Sequence, residues 1–190
     1  MDEDTLLRAS KSGDADAFNV LVQQYQTPIY NLTLRMVGDA AAAEDLAQDA
    51  FISAYRNLHR FAAGNFRAWL FRIAANAARD YLRSPRVRRN VSLDVLAESP
   101  DFSLQSSSES PEGYALRREL GGVIQDALKS LPQDQRLALV LVDLQGLSYE
   151  EAAQVLKTPV GTIKSRLSRG REAMRGFLAG QRELLPSQFR

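Results

Sequence analysis

Between Ser84 and Gly113 the chain reads SPRVRRNVSLDVLAESPDFSLQSSSESPEG, with three prolines, eight serines and no apolar period. Structureless stretches of this length seldom lie inside one compact domain, so this one divides the 190-residue chain in two. The break predicts a domain over 1–84, a flexible linker over 85–111, a second domain over 112–180 and a tail over 181–190. Hydrophobic residues make up 45% of the chain, which suffices for globular cores, and with 190 residues shared between two domains neither core is large. Val91, Leu93, Val95, Leu96, Phe102 and Leu104 are the linker's apolar residues. Scattered hydrophobes of this kind usually have no partner.

Both flanks read as helix, so the fold class is all-α. Gly13-Asp14, Gly38-Asp39 and Gly64-Asn65 each place a helix-ending glycine before an Asp or Asn cap. They predict four helices over 3–12, 15–37, 40–58 and 66–83, with Pro28 kinking or interrupting the second. In the third helix Ala47, Ala50, Phe51, Ala54, Tyr55 and Leu58 form the buried stripe, leaving Asp45, Gln48, Asp49, Ile52 and Arg56 outward. In the fourth, Trp69, Leu70, Ile73, Ala74, Ala77 and Tyr81 face inward. Arg67, Phe71, Arg72, Asn76, Arg79, Asp80 and Arg83 are left exposed.

The C-terminal flank opens with a helix from about residue 112. A second helix follows Leu131-Pro132 and ends near Gly146. LALVLV over 137–142 also suits a buried strand, but Pro132 at its start and the lack of a partner strand favour helix. Residues 145–175 then read as two helices around a tight turn. Ser148 and Glu151 form a capping box, and Leu147 is placed to staple onto Ala152. Lys157 carries the turn, Thr158 caps the next helix and Pro159 occupies its first position.

In that last helix Ile163, Leu167, Gly170, Met174 and Phe177 face a small core. From Lys157 to Arg175 six Lys or Arg stand against one acid, Glu172. A cationic helix face by itself is more often merely solvated. The capping box, turn and short first helix favour instead a helix-turn-helix whose second helix enters the major groove. Thr162, Lys164, Ser165, Ser168 and Arg169 are the readers on this geometry. Gly161 costs the helix about 1 kcal/mol relative to alanine. Close approach to a phosphate or tight packing on the first helix would justify it.

A net charge of +1 hides a strong asymmetry. Residues 1–55 hold nine acids and three bases, whereas Phe66 to Arg89 holds seven arginines and one acid. The cationic surface suits nucleic acid and the acidic one suits a basic protein. The fourth helix and the loop before it mix arginines with aromatics, as surfaces for unpaired strands do. His59, Arg60, Phe61, Asn65, Phe66 and Phe71 are placed to surround an everted base, with Arg67, Arg72, Arg79 and Arg83 on phosphates. Phe61, Phe66 and Trp69 also read as core aromatics, and for Trp69, on the apolar stripe, that reading is favoured.

The chain has no cysteine, which excludes disulfides and thiolate metal sites and suits a reducing cytoplasm. Its longest apolar run, Leu137–Val142, is too short to span a bilayer. Glu44, Asp45 and Asp49 lie on about one and a half turns of helix with no convergent acid elsewhere and no phosphate loop, which makes a magnesium enzyme a poor reading. No catalytic residue, metal or cofactor is expected.

Taken in order, three segments carry a resemblance. DLAQDAFISAYRNLHRF at 45–61 resembles the core-polymerase-binding helix of the extracytoplasmic function (ECF, group 4) σ factors of the σ-70 family. FRAWLFRIAANAARDYLR at 66–83 resembles their −10 promoter helix. LPQDQRLALVLVDLQGLSYEEAAQVLKTPVGTIKSRLSRGRE at 131–172 resembles their −35-binding domain. The resemblance implies a σ2-like four-helix domain and a σ4-like helix-turn-helix domain.

It further implies that Asp45, Gln48 and Asp49 meet the β′ clamp helices of core RNA polymerase. Asn76, Arg79 and Asp80 would read the −10 element, and the 59–66 loop would trap a flipped base. Lys164, Ser165, Ser168 and Arg169 would read −35, with Arg166 as a backbone clamp. Promoter DNA is then engaged as duplex at −35 and as single strand at −10. The linker would thread toward the polymerase active site, and an anti-σ factor would hold the protein in the cytoplasm or at the membrane, without membrane insertion of its own. The competing reading is a helix-turn-helix regulator that acts without being a polymerase subunit.

Overall fold

The computed structural model describes residues 2–62, 64–84 and 111–180, with side chains from residue 119 onward in the last segment. The linker over 85–110 and the tail over 181–190 lie outside the described residues. Among the described residues every regular element is helical: α1 (Glu3–Lys11), α2 (Ala15–Val37), α3 (Ala40–Asn57), a 3-10 turn (Leu58–Arg60), α4 (Phe66–Arg83), α5 (Pro111–Ser130), α6 (Gln133–Leu139), a π turn (Val140–Leu144), α7 (Tyr149–Leu156) and α8 (Val160–Gly180).

The helix starts follow from the cap residues. Asp14 accepts from the amides of Asp16 and Ala17 at 3.0 Å, Asp39 from Ala42 at 2.7 Å and Asn65 from Ala68 at 2.9 Å. Each satisfies amides that the first turn leaves without partners. Gly38 ends α2 at φ 74°, a conformation that disfavours any side chain. Pro28 sits inside α2 without dividing it. The LALVLV run runs from helix into the π turn and is buried from Leu137 to Leu141, so it is not a strand.

Helices α1 to α4 enclose Leu21, Ile29, Leu32, Met36, Leu70 and Phe71, all at most 1% exposed. Helices α5 to α8 close over Leu128, Leu137, Leu141, Ile163 and Leu167. The two sets share one continuous apolar cluster. At Gly170 a Cβ would lie 2.9 Å from Leu139 Cδ1, so a larger residue there would have to push the Leu139 tip aside where α8 meets α6.

The buried stripe of α4 differs from the expected one. Phe66, Ala68, Leu70, Phe71, Ala74, Ala75 and Ala78 are buried, while Trp69 and Ile73 are only partly so. Phe71 was expected outward and is fully buried. The cause is a second partner: α4 packs on α2 and α3, and also against α7 of the C-terminal half. Burial on two flanks turns the apolar arc away from the position that one-sided packing would give it. Tyr55, expected inward, is 44% exposed, its ring tilted against Phe18 at a centroid distance of 4.9 Å.

Candidate nucleic-acid interface

On the helix-turn-helix, Ser148 Oγ accepts from the Glu151 amide at 3.1 Å and Glu151 Oε2 from the Ser148 amide at 2.8 Å. This completes the capping box. Lys157 closes α7 at φ 51°, the left-handed region, so the turn is made at a residue that pays for its side chain. Thr158 does not cap α8. Its hydroxyl makes no hydrogen bond among the described residues, and the carbonyl of Pro159 instead accepts from Thr162 and Ile163. Pro159 therefore stands one position before the helix rather than within it.

Ile163, Leu167 and Gly170 turn α8 onto the core. The opposite face presents Lys164, Ser168 and Arg169 to solvent, with Thr162, Ser165 and Arg166 partly covered. Arg169 is held along the helix by Ser165, 3.3 Å from its carbonyl and its hydroxyl. Arg166 donates to Asp134 at 2.6 Å. Arg171 pairs with Asp143 through two bonds of 2.9 and 2.6 Å, and this pairing raises its pKa above the ordinary arginine value. A Cβ at Gly161 would meet nothing within 4 Å. Tight packing on α7 is thus not the reason for a glycine there.

On α4 the expected −10 residues fall into three groups. His59, Arg60, Asn76, Asp80 and Arg83 are exposed, and Arg72 is half-buried. Phe61 and Phe71 are core residues. Phe61 lies 5.3 Å from Trp69 and 5.7 Å from Phe66 by ring centroid, with the Lys11 ammonium over its face. Asn65, Arg67 and Arg79 form the third group, and all are engaged by the C-terminal half. Asn65 Nδ2 donates to Glu151 at 2.6 Å, Arg67 donates to the Gln145 carbonyl, and Arg79 lies 3.5 Å from Asp134. Burial depresses the Arg79 pKa and Asp134 partly opposes the shift. Hydrogen bonds from Ser148 and Asn65 hold the Glu151 carboxyl below its ordinary range.

On α3, Glu44, Asp45, Gln48 and Asp49 are all exposed, and Ile52 beside them is 49% exposed. They form an acidic face with an apolar margin. A groove of about 790 Å³ runs alongside, lined by Tyr30, Glu44, Gln48, Phe51, Ile124 and Leu144 among others, so both halves of the chain contribute to it. Among the described residues no group of three His, Cys, Asp or Glu is placed to hold a metal ion. Among them, too, no helix is long and apolar enough to cross a membrane.

An exposed acidic helix, an Arg-bearing helix and a helix-turn-helix on one small helical chain are the features of a DNA-binding protein that also offers a surface to a protein partner. Comparison with known proteins gives the family. Residues 21–88 match Sigma-70 region 2 and residues 122–174 match Sigma-70, region 4. The chain is 43% identical to the RNA polymerase sigma-H factor of Pseudomonas aeruginosa, over 89% of its length and 90% of that protein's. It is 40% identical to the ECF RNA polymerase sigma-E factor of Escherichia coli K12, over 90% and 92%. Two solved structures are similar over most of the chain. CnrH in complex with the cytosolic domain of CnrY gives a TM-score of 0.69 at 25% identity, covering 93% of this chain and 96% of that one. The σ factor RpoE in complex with the anti-σ factor NepR, from Bartonella quintana, gives 0.64 at 28%, covering 85% and 96%.

The chain belongs to the σ-70 family of RNA polymerase σ factors, in its ECF branch. It is an alternative σ factor that works with RNA polymerase.

Proposed function

We propose that this σ factor joins core polymerase through the α3 face of Asp45, Gln48 and Asp49, reads −35 duplex with α8 and captures the opened −10 strand with α4. The observation that carries this reading is the separation of charge: carboxylates are exposed on α3, while cations lie on the two helices assigned to DNA. An acidic face is repelled by DNA and attracted to a basic protein surface, whereas the cationic helices gain from counterion release. Residues 1–84 and 112–180 act as the two promoter grips, with 85–111 as the tether. Strand opening draws on binding energy alone. Unstacking one base costs a few kcal/mol, which a held base and several phosphate contacts offset.

Control falls to an anti-σ factor. The σ factor RpoE, of similar fold, is found with an anti-σ factor, and the groove beside α3 has an apolar floor suited to an amphipathic helix. Because Glu44 and Gln48 line that groove, its occupant would compete with polymerase for α3.

The test is reconstitution. The protein is mixed with core polymerase and genomic fragments, and transcript starts are mapped. Specific initiation and co-elution with core are expected. Absence of both overturns the reading.

A further inference from the structure

Between α3 and α4 the chain turns on one buried ring. Among the described residues from 59 to 65, His59, Arg60, Ala62, Gly64 and Asn65 are exposed and Phe61 alone is buried. The Phe61 amide closes the 3-10 turn on the Leu58 carbonyl at 3.1 Å. Its ring packs on Phe66 and Trp69 at centroid distances of 5.7 and 5.3 Å. Aromatic contacts of this kind seat the ring, and with it the backbone that carries it.

The remaining hold on Phe61 comes from α1. Lys11, the last residue of that helix, donates from its ammonium to the Phe61 carbonyl, and the same ammonium lies 5.3 Å from the centre of the Phe61 ring. One cation thus meets both the carbonyl oxygen and the negative ring face of a single residue. The other end of α1 reaches the same aromatic group. Tyr25 donates to Glu3 at 2.5 Å and sets its ring edge-on to Phe66 at a centroid distance of 5.7 Å. Burial and the Glu3 carboxylate raise the Tyr25 pKa, so its hydroxyl remains a donor. Leu6 and Leu7 seat the helix on the core between these two ends. Helix α1 lies before residue 21, where the match to region 2 begins, and it carries none of the residues assigned to DNA.

We propose that Lys11 is a positioning residue for capture of a −10 base. On the reading that the turn before α4 traps that base, Lys11 fixes the direction in which His59 and Arg60 are presented and makes no DNA contact of its own. His59 and Arg60 immediately precede Phe61 in the 3-10 turn, so a displacement of the Phe61 carbonyl turns both. Lys11 itself is exposed. Its loss frees the carbonyl while the Phe61 ring stays packed on Phe66 and Trp69, so base discrimination suffers and the fold does not.

Lys11→Met keeps the length of the side chain and removes the charge, whereas Lys11→Arg keeps the charge and the donors. Trp69 is the chain's one tryptophan and packs on Phe61, so its fluorescence in the full-length free protein reports how that ring is seated. Lys11→Met should shift the emission and increase acrylamide quenching at unchanged far-UV circular dichroism, and Lys11→Arg should match the parent. The holoenzyme with core polymerase is then run on promoter duplexes randomised through the −10 element. Lys11→Met should flatten the preference at one −10 position by about fivefold, the worth of a cation–π contact at an exposed site. Preferences elsewhere and binding to −35 duplex should not change, and Lys11→Arg should keep the parent's profile. An unmoved Trp69 signal, an unchanged −10 profile or an equal loss at every position overturns the assignment of Lys11. The trap reading fails by a different result, namely a parent preference at that position that survives His59→Ala with Arg60→Ala.

Discussion

Asn65 caps one helix, Glu151 closes the capping box of another, and the two are bonded to each other. Asn65 Oδ1 holds the first turn of α4 while its Nδ2 donates to Glu151 Oε1 at 2.6 Å; the other Glu151 oxygen closes the box on α7. Two residues 86 apart in sequence thus tie the start of the −10 helix to the start of the helix-turn-helix.

The pH response follows from that pairing. Glu151 has its folded pKa below the ordinary 4.5, chiefly through the Ser148 amide and with help from Asn65 and Arg67. Its stabilising contribution is therefore complete above the ordinary value and is lost as pH falls through the lowered one. Urea midpoints measured from pH 7 down to about 3 should fall more steeply for the parent than for Glu151→Gln. Parallel profiles would remove the carboxylate from the account.

Arg136 is only 7% exposed and donates to the carbonyls of Met36, Lys129 and Leu131, with no carboxylate partner among the described residues. Burial depresses its pKa. Arg136→Ala leaves three carbonyls without a donor and a void beside them, so a loss of about 3 kcal/mol is expected by urea denaturation. A loss below about 1 kcal/mol would mean that water replaces the guanidinium freely.

Lys157 sits at φ 51° and its side chain is exposed. Lys157→Gly should raise stability by about 0.5 to 1 kcal/mol by relieving the left-handed strain. A lower urea midpoint would show that the lysine chain compensates for its backbone.

Gly161 is the reverse case, since a Cβ there meets nothing. Gly161→Ala should stabilise α8 by up to about 1 kcal/mol. It should at the same time weaken −35 duplex binding if the backbone approaches a phosphate at that point. Electrophoretic mobility shift reads the binding, and tighter binding would contradict the close approach.

The two surfaces should fail separately. Asp45→Ala with Asp49→Ala is expected to weaken co-elution with core about tenfold or more while sparing binding to −35 duplex. Lys164→Ala with Arg169→Ala should spare core binding and abolish promoter-specific initiation, each lost base contact being worth about 1 to 3 kcal/mol. The opposite pattern would exchange the surfaces.

Cap and turn chemistry is local, and so the chain order alone placed Asp14, Asp39, Asn65 and Ser148 at helix starts and Gly38 at a helix end. The same locality made the acidic face of α3 and the cationic face of α8 readable. Thr158 shows the limit: its type suits a cap, but the backbone around Pro159 takes the helix bonds instead.

Phe71, Trp69 and the arginines of α4 were settled by tertiary structure. A periodic pattern reveals that a helix has an apolar face, but its buried arc depends on how many neighbours cover it, and nothing local in 66–83 announces that α7 lies against it. Asn65, Arg67 and Arg79 are ordinary polar residues of one helix in sequence. Only packing between segments far apart in the chain, 86 positions for Asn65 and Glu151 and 78 for Arg67 and Gln145, brings Glu151, Gln145 and Asp134 to them, because desolvation and pairing act through space and leave no period in the sequence.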